Sequence, residues 1–147
     1  MGDFEEETQT TISNPWVRAF LNIKYTANYL NRLDEDYFAK FGLSAQQFNA
    51  LRILRGASKS IKVSEIRNRM VEKPPNMSRL LDKLNAKSYI KRQRSKGDRR
   101  TVYCKITEEG LSLLAEMDQH EFQLPLGHLK EEDVKLISSL MDKVRGQ

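Results

Sequence analysis

The chain has 147 residues, with 25 Lys and Arg, 20 Asp and Glu, one Cys and a formal net charge of +5 at pH 7. This length predicts one domain, 1–147, large enough for a core but small enough that an extended helical part would need a partner to cover it. The single Cys104 excludes an intramolecular disulfide, and no apolar run approaches the roughly 20 residues that span a bilayer, so a soluble cytoplasmic protein is expected, without a membrane partner.

Met1 to Thr11 is acidic and polar with no apolar core, which predicts a flexible arm and not a signal peptide. Asn14-Pro15 then opens a long helix, because Asn caps orphan amides and Pro at the first helical position gives up a donor that had no partner. Trp16, Phe20, Ile23, Ala27, Leu30 and Tyr37 recur at helical spacing, and Gly42 supplies the stop. About 25 residues is long for a globular helix and suggests a partner-facing element.

Ser44-Ala45-Gln46-Gln47 matches a capping box, and Phe48, Leu51 and Leu54 share one face of the helix that follows, as far as Gly56. Ile61 to Val63 reads as a brief strand before a helix around Ser64 to Met70, with Ile66 and Met70 inward. Pro74-Pro75 permits a helix start but would damage a helix interior, so the next helix is expected over 75–87. Met77, Leu80, Leu81 and Leu84 fall on one side of it, leaving Asn76, Ser78, Arg79, Asp82 and Lys83 outward or flanking.

Tyr89 to Ser95 and Thr101 to Ile106 read as two strands, the second alternating Val102, Cys104 and Ile106 with Tyr103 and Lys105. Lys96-Gly97-Asp98-Arg99-Arg100 forms the turn between them. Thr107 caps a helix carrying Leu111, Leu114 and Met117 that should end before Pro125. A last helix starts near Glu131-Glu132-Asp133, shows Val134, Ile137, Leu140, Met141 and Val144 at helical spacing, and ends at Gly146.

The charge follows this organisation. From Arg52 to Lys105 there are 17 Lys and Arg against 4 Asp and Glu, a segment charge of +13, whereas the rest has 8 against 16, or −8. A concentrated cationic region inside a folded unit is the footprint of a surface that meets phosphate backbones.

A helix, a turn, a second helix with a polar outer face and a basic two-stranded ribbon make a winged helix-turn-helix. The fold class is therefore mostly α with a small β-wing, a DNA-binding unit over 43–106 flanked by N- and C-terminal dimerisation helices over 12–42 and 107–147. Asn76, Ser78 and Arg79 occupy the first turns of the recognition helix, where side chains reach base edges in the major groove. Lys83, Lys87, Arg92 and Arg94 are phosphate-contact candidates, and Lys96 and Arg99 belong to the cationic tip of the wing, 90–106. Arg100 is the candidate for the minor groove, where narrow stretches favour an Arg. Asp98 would repel phosphate if unpaired, so its expected role is to hold a neighbouring Arg in position.

The ordered set Leu43-Ser44, Gln47-Phe48, Leu51, Leu54, Val63-Ser64-Glu65-Ile66, Ser78-Arg79-Leu80-Leu81-Asp82-Lys83-Leu84, Asp98-Arg99-Arg100 and Ile106-Thr107-Glu108-Glu109-Gly110 resembles the multiple-antibiotic-resistance regulator (MarR) family of bacterial transcription factors. The resemblance implies a homodimer on a palindromic operator in double-stranded DNA, with a repressor function released by a small aromatic or anionic effector. It also implies that Asp98 holds Arg100 at the wing. The segment Glu72-Lys73-Pro74-Pro75-Asn76-Met77 stands where many members have a Ser- or Thr-rich helix start, so base preferences are not carried over.

Trp16, Tyr25, Tyr29, Tyr37 and Phe48 are candidate linings of an effector pocket, with dimer or core packing as the alternative. Cys104 is read as a small packed hydrophobe, the alternative being a redox sensor. His120 and His128, near Asp118, Glu121 and Glu131, lack a compact metal-ligand spacing. Two separated histidines, one strand Cys and no Gly-rich phosphate loop leave no catalytic residues, no metal and no cofactor, so an enzyme is not expected. A winged module for RNA or protein explains the fold but not a cationic helix face and a cationic tip together.

Overall fold

The computed structural model describes residues 3–119 and 125–147. The described residues form α1 (Phe4–Thr8), α2 (Pro15–Ala39), α3 (Ala45–Ala57), β1 (Ile61–Lys62), α4 (Val63–Arg69), α5 (Met77–Ala86), β2 (Ile90–Arg94), β3 (Val102–Ile106), α6 (Glu108–Gln119) and α7 (Glu131–Val144). The mostly helical fold with a small antiparallel sheet is the one the sequence predicts.

Local signals set most boundaries. Asn14 accepts hydrogen bonds from the Trp16 and Val17 amides, Pro15 takes the first helical position, and α2 runs for 25 residues. Gly42 ends this segment at φ +69°, a backbone region closed to most side chains. Ser44 and Gln47 form the reciprocal capping box at the start of α3.

Two expectations are corrected. The acidic N-terminus is not a loose arm: Asp3 caps α1, the Phe4 ring meets Tyr25 edge-on at 5.7 Å, and Arg18 lies 3.4 Å from Glu5. Aromatic and ionic contacts to α2 hold it, and no local periodicity announces them. The recognition helix begins at Met77, not Pro75, because Asn76 adopts extended geometry and accepts the Arg79 amide at 3.0 Å; it ends at Ala86 with Lys87 as its C-cap. The predicted end of α6 before Pro125, with His120 and Glu121, lies outside the described residues.

The sheet has the order β1-β3-β2, with both pairs antiparallel. Arg92 and Cys104 are cross-strand partners, as are Ile90 and Ile106, while Ile61 pairs with Cys104 from the other side. The brief strand thus completes the base of the wing.

The core belongs to the winged unit. Leu51, Leu54, Ile66, Leu81, Leu84, Ile90, Cys104 and Leu114 are all buried. Gly110 lets α6 lie against the sheet: a Cβ there would meet the Tyr89 carbonyl oxygen and come within 2.7 Å of Ile106 Cγ1. The outer helices contrast with this packing. Helix α7 has no buried residue, and α2 leaves Trp16 80% and Phe20 61% exposed at its N-terminal end. No helix among the described residues is long and apolar enough to cross a membrane.

Candidate nucleic-acid interface

Helix α5 buries Met77, Leu80, Leu81 and Leu84 and leaves Ser78, Arg79, Asp82 and Lys83 exposed. The apolar stripe fixes its rotation, and the polar residues between are thereby presented outward. The structure gives Asn76 a capping role, so its side-chain oxygen is already occupied by the Arg79 amide.

The wing tip is organised by Asp98. The Arg100 amide donates to Asp98 Oδ1 at 2.9 Å, the Thr101 hydroxyl donates to Oδ2 at 3.2 Å, and the Thr101 amide donates to the Asp98 carbonyl at 3.0 Å. Asp98 therefore sets the backbone that carries Arg100, where the sequence suggested a grip on the arginine itself. This Asx-type turn leaves Arg94, Lys96, Arg99 and Arg100 exposed.

Arg92 is half-buried and ion-paired with Asp82, which ties the base of the wing to the recognition helix. Lys87 donates to the Gly42 carbonyl, at the junction of α2 and α3. These two cations are engaged within the protein, because each lies beside an oxygen that folding brings near from 10 or 45 residues away.

An open cleft of about 350 Å³ between the helices and the wing is lined by Lys62, Ser64, Ser78, Arg92, Arg100 and Thr101, among others. Three cations and three hydroxyls around one opening are suited to a phosphate group. Sequence reasoning singled out Ser78, Arg92 and Arg100 but missed Lys62 and Ser64. Only the pairing of β1 with β3 brings those two to the wing.

A second cleft, of about 480 Å³, lies between α2, α3, the loop before α5 and the end of α6. Tyr37 and Phe48 line it, whereas Trp16, Tyr25 and Tyr29 do not. Tyr25 instead packs on Phe4, and a hydrogen bond with Glu7, aided by desolvation, pushes its phenol pKa up. Cys104 is buried, and desolvation raises its thiol pKa against the opposing pull of Arg92. Among the described residues no group of three His, Cys, Asp or Glu side chains is placed to hold a metal.

The MarR family profile matches residues 43–102, the span from the cap of α3 to the start of β3. A MarR transcription factor from Planctomyces limnophilus is 31% identical, with a TM-score of 0.67, over 90% of this chain and 98% of that one. The chain belongs to the MarR family. The HTH-type transcriptional regulator PecS of Dickeya dadantii is 33% identical over 87 residues, 58% of this chain. The match spans about half of that regulator's length, 52%. A mutant MarR from E. coli in complex with operator DNA shares the fold, with a TM-score of 0.77 and 24% identity over 92% of this chain and 99% of that one. The MarR-family relatives are transcription regulators and not enzymes, in line with the sequence.

Proposed function

We propose that this chain is a dimeric, sequence-specific DNA-binding transcriptional regulator, acting in the cytoplasm as a ligand-responsive repressor on a palindromic operator. The observation that carries the reading is the cationic cleft bordered by Ser78 of α5, Lys62 of β1 and Arg100 of the wing. With α5 in the major groove, that cleft faces the phosphates between the two grooves, and Arg100 follows the wing into the minor groove. Ser78 and Arg79 read bases; Lys83, Arg94, Lys96 and Arg99 hold the backbone. Asn76 and Arg92 act by holding α5 and the wing in place.

The helices over 12–42 and 107–147 form the dimer. Trp16, Phe20, Leu136, Ile137, Leu140 and Val144 are large apolar side chains exposed on α2 and α7, a surface suited to a self-complementary interface. Two recognition helices held roughly 34 Å apart meet successive major grooves. A small molecule that binds the two dimer arrangements unequally then shifts operator occupancy.

Replacing Arg100 by Ala tests the wing. Operator affinity measured over a salt series should fall strongly, and the slope of log affinity against log salt should shrink by about one phosphate contact. Unchanged affinity in a folded dimer contradicts the assignment.

A further inference from the structure

The small sheet has an outer face opposite the one that packs on the core. Antiparallel partners share a face, as do alternate residues of a strand, so the register gathers Lys91, Gln93, Tyr103, Lys105 and Lys62 on one side. Ile61, Ile90, Cys104 and Ile106, on the other side, are buried. Lys62, Lys91 and Lys105 are exposed, and Lys91 stands directly across from Lys105. Like charges at opposed positions destabilise a ladder. None of the ion pairs among the described residues includes any of the three lysines, and no carboxylate occupies a position on this face. Folding therefore leaves a cationic surface whose repulsion an anionic partner would relieve.

We propose that the outer face of the wing sheet is a second DNA-contact surface, which holds the duplex flanking the operator and bends it toward the protein. The proposal rests on the DNA-binding reading above. Lys62 supplies continuity with that interface, since it borders the cationic cleft with Arg100 and also pairs with Tyr103 in the middle of the face. Lys91 precedes Arg94 by three residues of β2, which sets it about 10 Å further from the wing tip. A straight duplex entered by the tip passes below the two opposed lysines, and one curved toward the sheet meets them. Lysine ammonium groups and a tyrosine hydroxyl suit phosphate oxygens, contacts that carry no sequence information of their own. Sequence enters through stiffness instead, because A-tracts resist bending and TA or CA steps yield to it. A second copy of this chain is a poorer occupant. Its Asp3, Glu5, Asp118, Glu131, Glu132 and Asp142 already have cationic partners, whereas every nucleotide of a flank offers a phosphate charge.

The test compares the full chain with the double variant Lys91→Gln, Lys105→Gln on two duplexes that carry the same selected operator. One spans about two helical turns and ends at the wings; the other is longer by about one turn on each side. Wild type should bind the long duplex at least roughly fivefold more tightly than the short one, with a salt slope steeper by about 0.9 for each phosphate gained. The double variant should match wild type on the short duplex within about twofold and gain nothing from the flanks. Lys91→Arg with Lys105→Arg keeps the charge and should keep the gain. Energy transfer between dyes at the two ends of the long duplex should show it more bent by wild type than by the Gln variant, and A-tract flanks should reduce the wild-type gain. A Tm of the Gln variant at or above that of wild type confirms that it folds, since a like-charge pair has been removed. A flank gain that is absent in wild type, or equal in wild type and the Gln variant, overturns the proposal. So does a gain traced by sedimentation to a second dimer on the long duplex, or one reproduced by adding an unlinked duplex to the short one. Failure to bind either length refutes the DNA-binding reading, and this proposal with it.

Discussion

Asp98 offers a test in which two physical effects have opposite signs. In Asp98→Ala the Arg100 amide and the Thr101 hydroxyl lose their acceptors, while the Thr101 bond to the residue 98 carbonyl survives. Two exposed hydrogen bonds contribute about 1–2 kcal/mol between them, which on loss corresponds to roughly a 5- to 30-fold weaker complex if the wing must be ordered again on binding. Removing the carboxylate also relieves repulsion from phosphate, worth about 0–1 kcal/mol at a screened surface, or at most about fivefold in the other direction. Asp98→Ala should therefore bind operator DNA more weakly despite its more positive charge. Asp98→Asn keeps a side-chain oxygen for the turn and drops the charge, so it should bind as tightly as wild type or up to about fivefold tighter. Fluorescence anisotropy with a labelled operator at fixed salt measures both. If Asp98→Ala binds as well as Asp98→Asn, Asp98 does not act through the turn.

Other outcomes follow from the same geometry. Asn76→Ala should cost about 1 kcal/mol, a fall in Tm of about 2–4 °C, and Asn76→Asp should restore most of it, both read by thermal melting. Ile137→Asp on the exposed face of α7 should turn the dimer into folded monomers in sedimentation velocity, with little loss of helical signal; a persistent dimer removes α7 from the interface. Cys104 should resist alkylation at pH 8 in the native protein and react readily in urea, since burial disfavours its thiolate. Its folded pKa is raised, so the thiol's effect on stability is absent well below the free-thiol pKa of roughly 8.5. Stability is lost as pH rises through that value, because the unfolded chain ionises first.

What the sequence made legible is what short spacing encodes. The Asn14-Pro15 start, the Ser44/Gln47 box, the buried stripe of α5 and the alternation of β3 each lie within a few residues, and each stands in the structure. Features fixed by distant partners were not legible. The docking of α1 depends on Phe4 finding Tyr25, the pairing of Arg92 depends on Asp82, and Lys62 enters the wing cleft only because Ile61 pairs with Cys104. Asn76 shows a further limit: the same amide that suits an adenine also suits a helix cap, and the extended backbone at Asn76 decided for the cap. The aromatic residues of α2 divided for a related reason. Helical spacing placed them on one helix but did not say which would face the cleft and which would be left exposed.

Function as proposed requires two cationic winged units held one duplex turn apart. Hydroxyl-radical footprinting on an operator selected from random duplexes reads that spacing. Two symmetric protected half-sites are expected, with centres about 10–10.5 base pairs apart, each with an outer minor-groove patch that disappears in Arg100→Ala. A single protected half-site, or even protection along any duplex, would contradict it.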